Sequence, residues 1–144
     1  MTPKILVLNG PNLNLLGKRE PEKYGATTLD DLQISLNAVA ADVNLDLLMQ
    51  QSNSEGGLID IIHAARDTCA GIIINPAAYS HTSIAILDAL NAFDGAVVEV
   101  HITNIHAREE FRHHSFVSAR ANAVIAGCGT QGYEFALRHI ALLV

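Results

Sequence analysis

The chain has 144 residues, 49% of them apolar and 17% charged, which is the material of one folded domain and too little charge for a disordered one. Fifteen acidic residues against nine Lys and Arg give a net charge of −6, so a nucleic-acid partner, which asks for a face of clustered bases, is not expected. No apolar run is long enough for a membrane span, Met1-Thr2-Pro3-Lys4 does not read as a secretory leader, and Cys69 and Cys128 make neither a CxxC pair nor a disulfide framework; a cytoplasmic chain forming a single domain over 1–144 is the expectation.

Lys4-Ile-Leu-Val-Leu8 is a short apolar run that stops at Asn9-Gly10-Pro11. Such a run reads as a strand buried on both faces. Residues 9–27 then separate it from the first helix. A βα loop is normally about 2–6 residues long, so this segment is expected to be a lid or binding loop at the strand's carboxyl end. Thr28-Leu-Asp-Asp31 resembles a capping box with Asp in place of Glu, and Leu29, Leu32, Leu36 and Val39 keep helical spacing after it. Further strands are expected over 45–49, 71–74, 96–102 and 123–126. Ser54 is placed to cap a helix carrying Leu58, Ile59, Ile62 and Ala65. Thr82 or Ser83 is placed to cap one with Ile86, Leu87, Leu90 and Phe93 inward. A short crossover lies around 108–111, and a last helix starts near Gly132 and carries Phe135, Ala136, Ile140 and Leu143. Five strands alternating with helices imply an α/β fold, a flavodoxin-like three-layer sandwich whose five-stranded parallel sheet has the order 2-1-3-4-5.

In this architecture ligands sit outside the carboxyl ends of the strands. Asn9, Asn12 and Asn14 follow strand one. Asn75 ends strand three and leads to His81. Glu99 and His101 interrupt strand four, with Thr103 and Asn104 beyond it. Residues i and i+2 of a strand share a face, and a carboxylate in a buried strand is costly unless paired. Glu99 can accept from one ring nitrogen of His101, fix its tautomer and favour its protonated form, which makes an oriented general acid. A purely structural ion pair is the plainer alternative. Arg19 and Tyr24 lie in the long loop. A tyrosine phenol, ordinarily with a pKa of ~10, is a poor base at neutral pH, and a nearby guanidinium stabilises its phenolate. An ordinary lid, with a packed Tyr and a solvated Arg, fits the same residues. His81 and Arg112 read equally well as surface groups. So does Asp88 on the third helix, for which a subunit contact is the sharper reading.

Two motifs are set aside. Gly127-Cys-Gly129-Thr-Gln-Gly132 spells GxGxxG, but a dinucleotide site needs a further strand and an acid about 20 residues on. Only 12 residues follow Gly132, so the glycines read as a tight turn into the last helix. His101, His106, His113 and His114 match no metal-ligand spacing, and no metal is expected. Neither a Walker A sequence nor a GxSxG elbow is present.

Several segments in order carry a resemblance. They are Leu8-Asn-Gly-Pro-Asn-Leu-Asn-Leu-Leu-Gly-Lys-Arg-Glu-Pro, Tyr24-Gly, Gln51-Ser-Asn, Glu55-Gly, Ile74-Asn-Pro-Ala-Ala-Tyr-Ser-His-Thr-Ser, Glu99-Val-His-Ile-Thr-Asn, Arg108-Glu-Glu-Phe-Arg-His and Gly129-Thr-Gln-Gly-Tyr. Through them the sequence resembles the type II 3-dehydroquinate dehydratases over nearly all of its length. It departs at Ser54, where the family often has His, and at Ala96, where it often has Pro; neither position carries chemistry in the family.

The resemblance implies a cofactor-free anti elimination of water from 3-dehydroquinate to give 3-dehydroshikimate. Carried onto this chain, Tyr24 is the base and Arg19 holds it as phenolate and stabilises the transition state. Asn12 fixes a water that meets the enolate charge. His101, oriented by Glu99, protonates the departing hydroxyl. Asn75 and the backbone amides of Ile102 and Thr103 hold the substrate carboxylate, and His81 and Arg112 hold ring hydroxyls. Asp88 reaches the site from a neighbouring subunit in a homododecamer built of trimers. A mean hydropathy of +0.24 also points to subunit contacts. No lysine is expected at the strand ends to form an imine: Lys4 begins strand one at the far edge, and Lys18 and Lys23 are in the loop. Two alternatives stay open, a quinate-catabolic role for the same reaction and a non-catalytic flavodoxin-like nucleotide-binding module. The second needs a phosphate loop, which Asn9-Gly10-Pro11-Asn12 offers only weakly.

Overall fold

Five parallel strands form one sheet in the order β2-β1-β3-β4-β5. The computed structural model describes residues 1–144, and the strands are β1 (Lys4–Asn9), β2 (Asp46–Gln51), β3 (Gly71–Asn75), β4 (Ala96–His101) and β5 (Ala123–Ala126). Between them run α1 (Pro21–Tyr24), α2 (Leu29–Asp42), α3 (Glu55–Ala65), α4 (Ile84–Asn91) and α5 (Gln131–Ile140). Side-chain alternation along the central strands builds the layers. Ile5, Val7 and Ile73 join the core under α2 and α5, whereas Leu6, Leu8, Ile72 and Ile74 join the core under α3 and α4. Each fully buried Leu or Ile contributes about 1.5–3 kcal/mol through the apolar surface it removes from water. The expected sandwich and strand order are therefore present.

Local chemistry sets the helix starts. The Thr28 side chain accepts from the Asp31 N–H while the Asp31 carboxylate accepts from the Thr28 N–H, a complete capping box. Ser54 caps α3 through the Gly57 N–H, and Ser83 rather than Thr82 caps α4 through the Ile86 N–H. Arg120 closes the other end of α4, donating to the carbonyls of Leu90, Phe93 and Gly95 at 3.1, 2.8 and 2.6 Å.

Three expectations need correction. β2 starts one residue later than expected and is an edge strand, with Asp46, Leu48 and Gln50 facing solvent. In α5 the buried stripe is Tyr133, Ala136, Leu137 and Ile140, an i, i+3, i+4, i+7 set. Phe135 lies off that stripe and Leu143 lies beyond the helix end, and both are exposed. The short crossover is a chain of three 3-10 turns, Ile105–Ala107, Glu110–Arg112 and Val117–Ala119.

The carboxyl ends of β1 and β3 are pinned together. Pro76 has no N–H to continue the ladder, and the Gly10 N–H donates to the Asn75 carbonyl at 2.8 Å. A Cβ at Gly10 would stand 2.5 Å from the Pro76 carbonyl oxygen, a backbone atom that cannot swing aside. Gly10→Ala is therefore expected to destabilise the fold by ~1–3 kcal/mol through overpacking, read as a lower denaturation midpoint. An unchanged midpoint would refute this account of the close approach.

Candidate active site

A cavity of about 140 Å³ lies at the carboxyl ends of the sheet. The segment after β1 supplies Asn12, Arg19 and Tyr24; the end of β3 and the turn after it supply Asn75 and His81; the end of β4 and the loop beyond supply His101, Ile102, Thr103 and Arg112. Nine of the eleven residues singled out in the sequence thus line one space. Glu99 does not reach it but stands behind His101. Asp88 is exposed on α4, away from the cavity of its own chain.

The long segment after β1 is partly ordered by its own turns. Leu13–Leu15 forms a 3-10 turn whose buried Leu13 anchors it to the core, and Pro21 starts the short helix α1 that ends at Tyr24. Asn12 adopts a left-handed backbone, φ 70°, which Asn tolerates better than most residues. Its N–H is held by the Asn53 carboxamide oxygen at 2.9 Å, and Gln51 bonds the same oxygen at 3.0 Å and the Gly10 carbonyl at 3.1 Å. The loop after β2 therefore sets the height of Asn12. Of the three asparagines Asn9, Asn12 and Asn14, Asn12 alone lines the cavity; Asn9 is the last residue of β1 and fully buried, and Asn14 is exposed.

Two guanidiniums face the Tyr24 ring. Arg19 lies 5.4 Å and Arg108 5.9 Å from its centroid. Arg19 is also within 3.6 Å of the Glu20 carboxylate, and Arg108 donates to the Thr103 hydroxyl at 3.4 Å. Arg108 was not singled out in the sequence. It lies in an irregular loop with no periodicity to orient it.

On β4, Glu99 is fully buried and His101 is 4% exposed. The His101 Nε2 bonds Glu99 Oε2, and the Ser118 hydroxyl donates to Glu99 Oε1 at 2.6 Å. Burial alone would raise the Glu99 carboxyl, but the His101 hydrogen bond and charge, with Ser118, outweigh it and hold the group below its ordinary value. Glu99 is therefore an anion, Nε2 is the nitrogen that donates to it, and Nδ1 is the ring atom left for other partners. Ser118 comes from a 3-10 turn with no motif to mark it.

His81 lies beside His101, ring centroids 6.5 Å apart and nearly parallel. Its Nδ1 is 2.8 Å from the His114 carbonyl, which can only accept, so Nδ1 carries a proton and Nε2 is an acceptor when the ring is neutral. Burial pushes the His81 imidazole below its ordinary value; the His114 carbonyl works against this, and the positive charges of His101 and Arg112 work with it. Arg112 is steadied by Glu109 at 2.8 Å. The N–H groups of Ile102 and Thr103, just past the end of β4, are taken up by neither turns nor side chains, and both residues line the cavity together with Asn75.

A parallel α/β sheet that gathers an oriented imidazole, a cation-flanked phenol and free backbone amides in one cavity has the groups that acid–base chemistry on a small molecule requires. Comparison with known proteins agrees. The family model described as dehydroquinase class II matches residues 3–141, and the chain belongs to that family. A 3-dehydroquinate dehydratase of Cereibacter sphaeroides (strain ATCC 17023) is 59% identical over 143 residues, covering 99% of this chain and 97% of the relative. One of Streptomyces avermitilis is 62% identical over 140 residues, covering 96% and 88%. The crystal structure of type II dehydroquinase from Propionibacterium acnes superposes with a TM-score of 0.94 at 51% identity, covering 99% of this chain and 98% of that one.

The lowered Glu99 carboxyl makes stability depend on pH. As pH falls, the unfolded chain takes up this proton first, near the ordinary value of 4.5, and the folded chain only at lower pH. The pair's contribution is complete above that ordinary value and is lost as pH falls through the folded one. Denaturation profiles should therefore fall more steeply on the acid side for the natural protein than for Glu99→Gln. Parallel acid limbs would contradict the buried anion.

Proposed function

We propose that the chain is a type II 3-dehydroquinate dehydratase, a lyase that removes water from 3-dehydroquinate in anti fashion to give 3-dehydroshikimate in the shikimate route to aromatic compounds. The observation that carries the reading is the meeting of Tyr24, flanked by Arg19 and Arg108, with the Glu99-oriented His101 in one cavity.

A β-hydroxy ketone loses water most readily through an enolate, which needs a base, a stabilised oxyanion and an acid for the leaving group. Tyr24, as phenolate, takes the proton from the carbon beside the ketone. The two guanidiniums lower the electrostatic cost of that anionic oxygen, and Arg19 stabilises the transition state. Electron density moves onto the ketone oxygen, where a water fixed by Asn12 meets the charge. The enolate collapses, the carbon–hydroxyl bond breaks, and His101 donates the Nδ1 proton so that water leaves. Glu99 stays ionised throughout and steadies the imidazolium before the transfer. Tyr24 then returns its proton to solvent, and His101 takes one up.

Binding falls to the remaining residues. Asn75 with the Ile102 and Thr103 amides holds the carboxylate. Arg112 and His81 hold ring hydroxyls, with the neutral His81 Nε2 accepting. Anti geometry asks for acid and base on opposite faces of the ring, and a loop and a strand end are independent supports for the two. The residues in hand are sufficient for this chemistry without an organic cofactor or metal. The exposed Asp88 contributes from a neighbouring subunit, and the enzyme works in the cytoplasm as a homododecamer, a tetramer of trimers. Exposed Ile34, Phe111 and Leu142 support such contacts.

Addition of 3-dehydroquinate is expected to produce the absorbance of a conjugated enone, undiminished by EDTA. Tyr24→Phe should lower kcat by ~10²–10⁴-fold; activity at the natural level would remove Tyr24 as the base. A separate expectation concerns the acid. His101→Ala should still exchange the acidic substrate hydrogen with deuterated water while failing to release water, as followed by mass spectrometry. Normal elimination in that variant would leave the leaving group without need of His101.

A further inference from the structure

We infer that Tyr133, which takes no part in the acid–base chemistry, is a positioning residue for substrate binding: with Asn9 it locks the Asn75 side-chain amide so that one of its N–H bonds is kept for the substrate carboxylate. The inference deepens the dehydratase reading and rests on it for the identity of that anion.

The argument starts from strand register. Asn9 and Asn75 are paired residues at the carboxyl ends of β1 and β3. By alternation both side chains share the face of Val7 and Ile73, the face covered by α5. Tyr133, on α5, is fully buried there and does not line the cavity. Its hydroxyl accepts from Asn75 Nδ2 at 2.9 Å and donates to Asn9 Oδ1 at 2.6 Å.

The polarity of this relay is fixed. The Ala77 N–H bonds Asn75 Oδ1 at 3.1 Å, and a backbone N–H can only donate. That makes Oδ1 the atom facing Ala77 and turns Nδ2 toward Tyr133. The single phenol proton must then go to Asn9 Oδ1. Burial pushes the Tyr133 phenol well above its ordinary value, so the proton stays in place. Ala77 holds the first link with a left-handed backbone, φ 53°, a strained shape for a residue with a Cβ. At the far end Asn9 Nδ2 is buried without a partner, which follows from spending the oxygen of that amide on Tyr133. Asn75 Nδ2 has two hydrogens. One is engaged by Tyr133; Asn75 lines the cavity with Ile102 and Thr103, and the other hydrogen is the one assigned to the substrate carboxylate. Asn75 thus joins the unengaged Ile102 and Thr103 amides as a third donor for a carboxylate, and its amide owes its orientation to a side chain outside the cavity.

Steady-state kinetics on 3-dehydroquinate with Tyr133→Phe, Asn75→Ala and the double variant, joined to a crystal structure of Tyr133→Phe, test this. Tyr133→Phe keeps the ring packing and is expected to raise KM roughly tenfold while kcat stays within about twofold. The double variant is expected to match Asn75→Ala alone, since the two changes act on one bond. Asn9→Leu cuts the relay at its other end and should move KM in the same direction, which keeps the test available if Tyr133→Phe fails to fold. An unchanged KM, a fall confined to kcat, or additive losses in the double variant would overturn the inference. A natural enzyme that does not turn over 3-dehydroquinate defeats the dehydratase reading instead. The crystal then decides alone: an Asn75 amide turned away from Tyr133→Phe supports the inference, and one in its original rotamer overturns it.

Discussion

A carboxylate buried inside a parallel sheet is tolerable only if something compensates it, and the site is organised around that constraint. Glu99 has sheet neighbours on both sides, with Ile74 on β3 and Val124 on β5 as its register partners. Neither supplies a charge or a proton. Compensation comes from His101, two residues along and hence on the same face, and from Ser118 in the crossover that follows. Removing one partner of such a pair typically costs about 3–5 kcal/mol because the other is left charged and unpaired. The same contact fixes the tautomer of His101 and aims its other nitrogen. Fold stability and the orientation of the His101 imidazole, the general acid of the proposed reaction, therefore rest on one interaction.

The other half of the chemistry is carried differently. Tyr24 ends a four-residue helix in the segment after β1 and is only partly buried. Two guanidiniums stand over its ring, Arg19 from the same segment and Arg108 from the loop after β4, so the placement of this phenol depends on two loops rather than on a strand. The charge pattern beside His101 is equally ordered. His81 is stacked near it, and its tendency to stay neutral avoids two adjacent imidazoliums competing for one proton inventory. The site combines one anion behind His101, an imidazole beside it whose burial favours its neutral form, and cations over the phenol.

Much of this was legible in the chain because it rests on periodicity. Alternating apolar runs and capped helices gave the sheet order, and Thr28, Ser54 and Ser83 cap as local hydrogen-bonding rules require. Glu99 and His101 stood out because polar groups had entered a buried strand at a spacing of two. The misreadings have physical causes as well. Phe135 is apolar but lies off the buried face of α5, whose phase Tyr133 and Leu137 set. Arg108 sits in the irregular loop after β4 and Ser118 in a 3-10 turn, where spacing predicts no face. Nothing local marks the role of Tyr133, because its partners Asn9 and Asn75 are 124 and 58 residues away and meet only through strand register.

The central claim is that a phenol-derived base and an imidazolium act on opposite faces of one ring. Turnover of 3-dehydroquinate carrying deuterium stereospecifically at the carbon beside the ketone, with the product analysed by mass spectrometry, tests it most directly. The account predicts that the label trans to the departing hydroxyl is lost and the cis label retained. Retention of the trans label with loss of the cis one would put acid and base on the same face and contradict it.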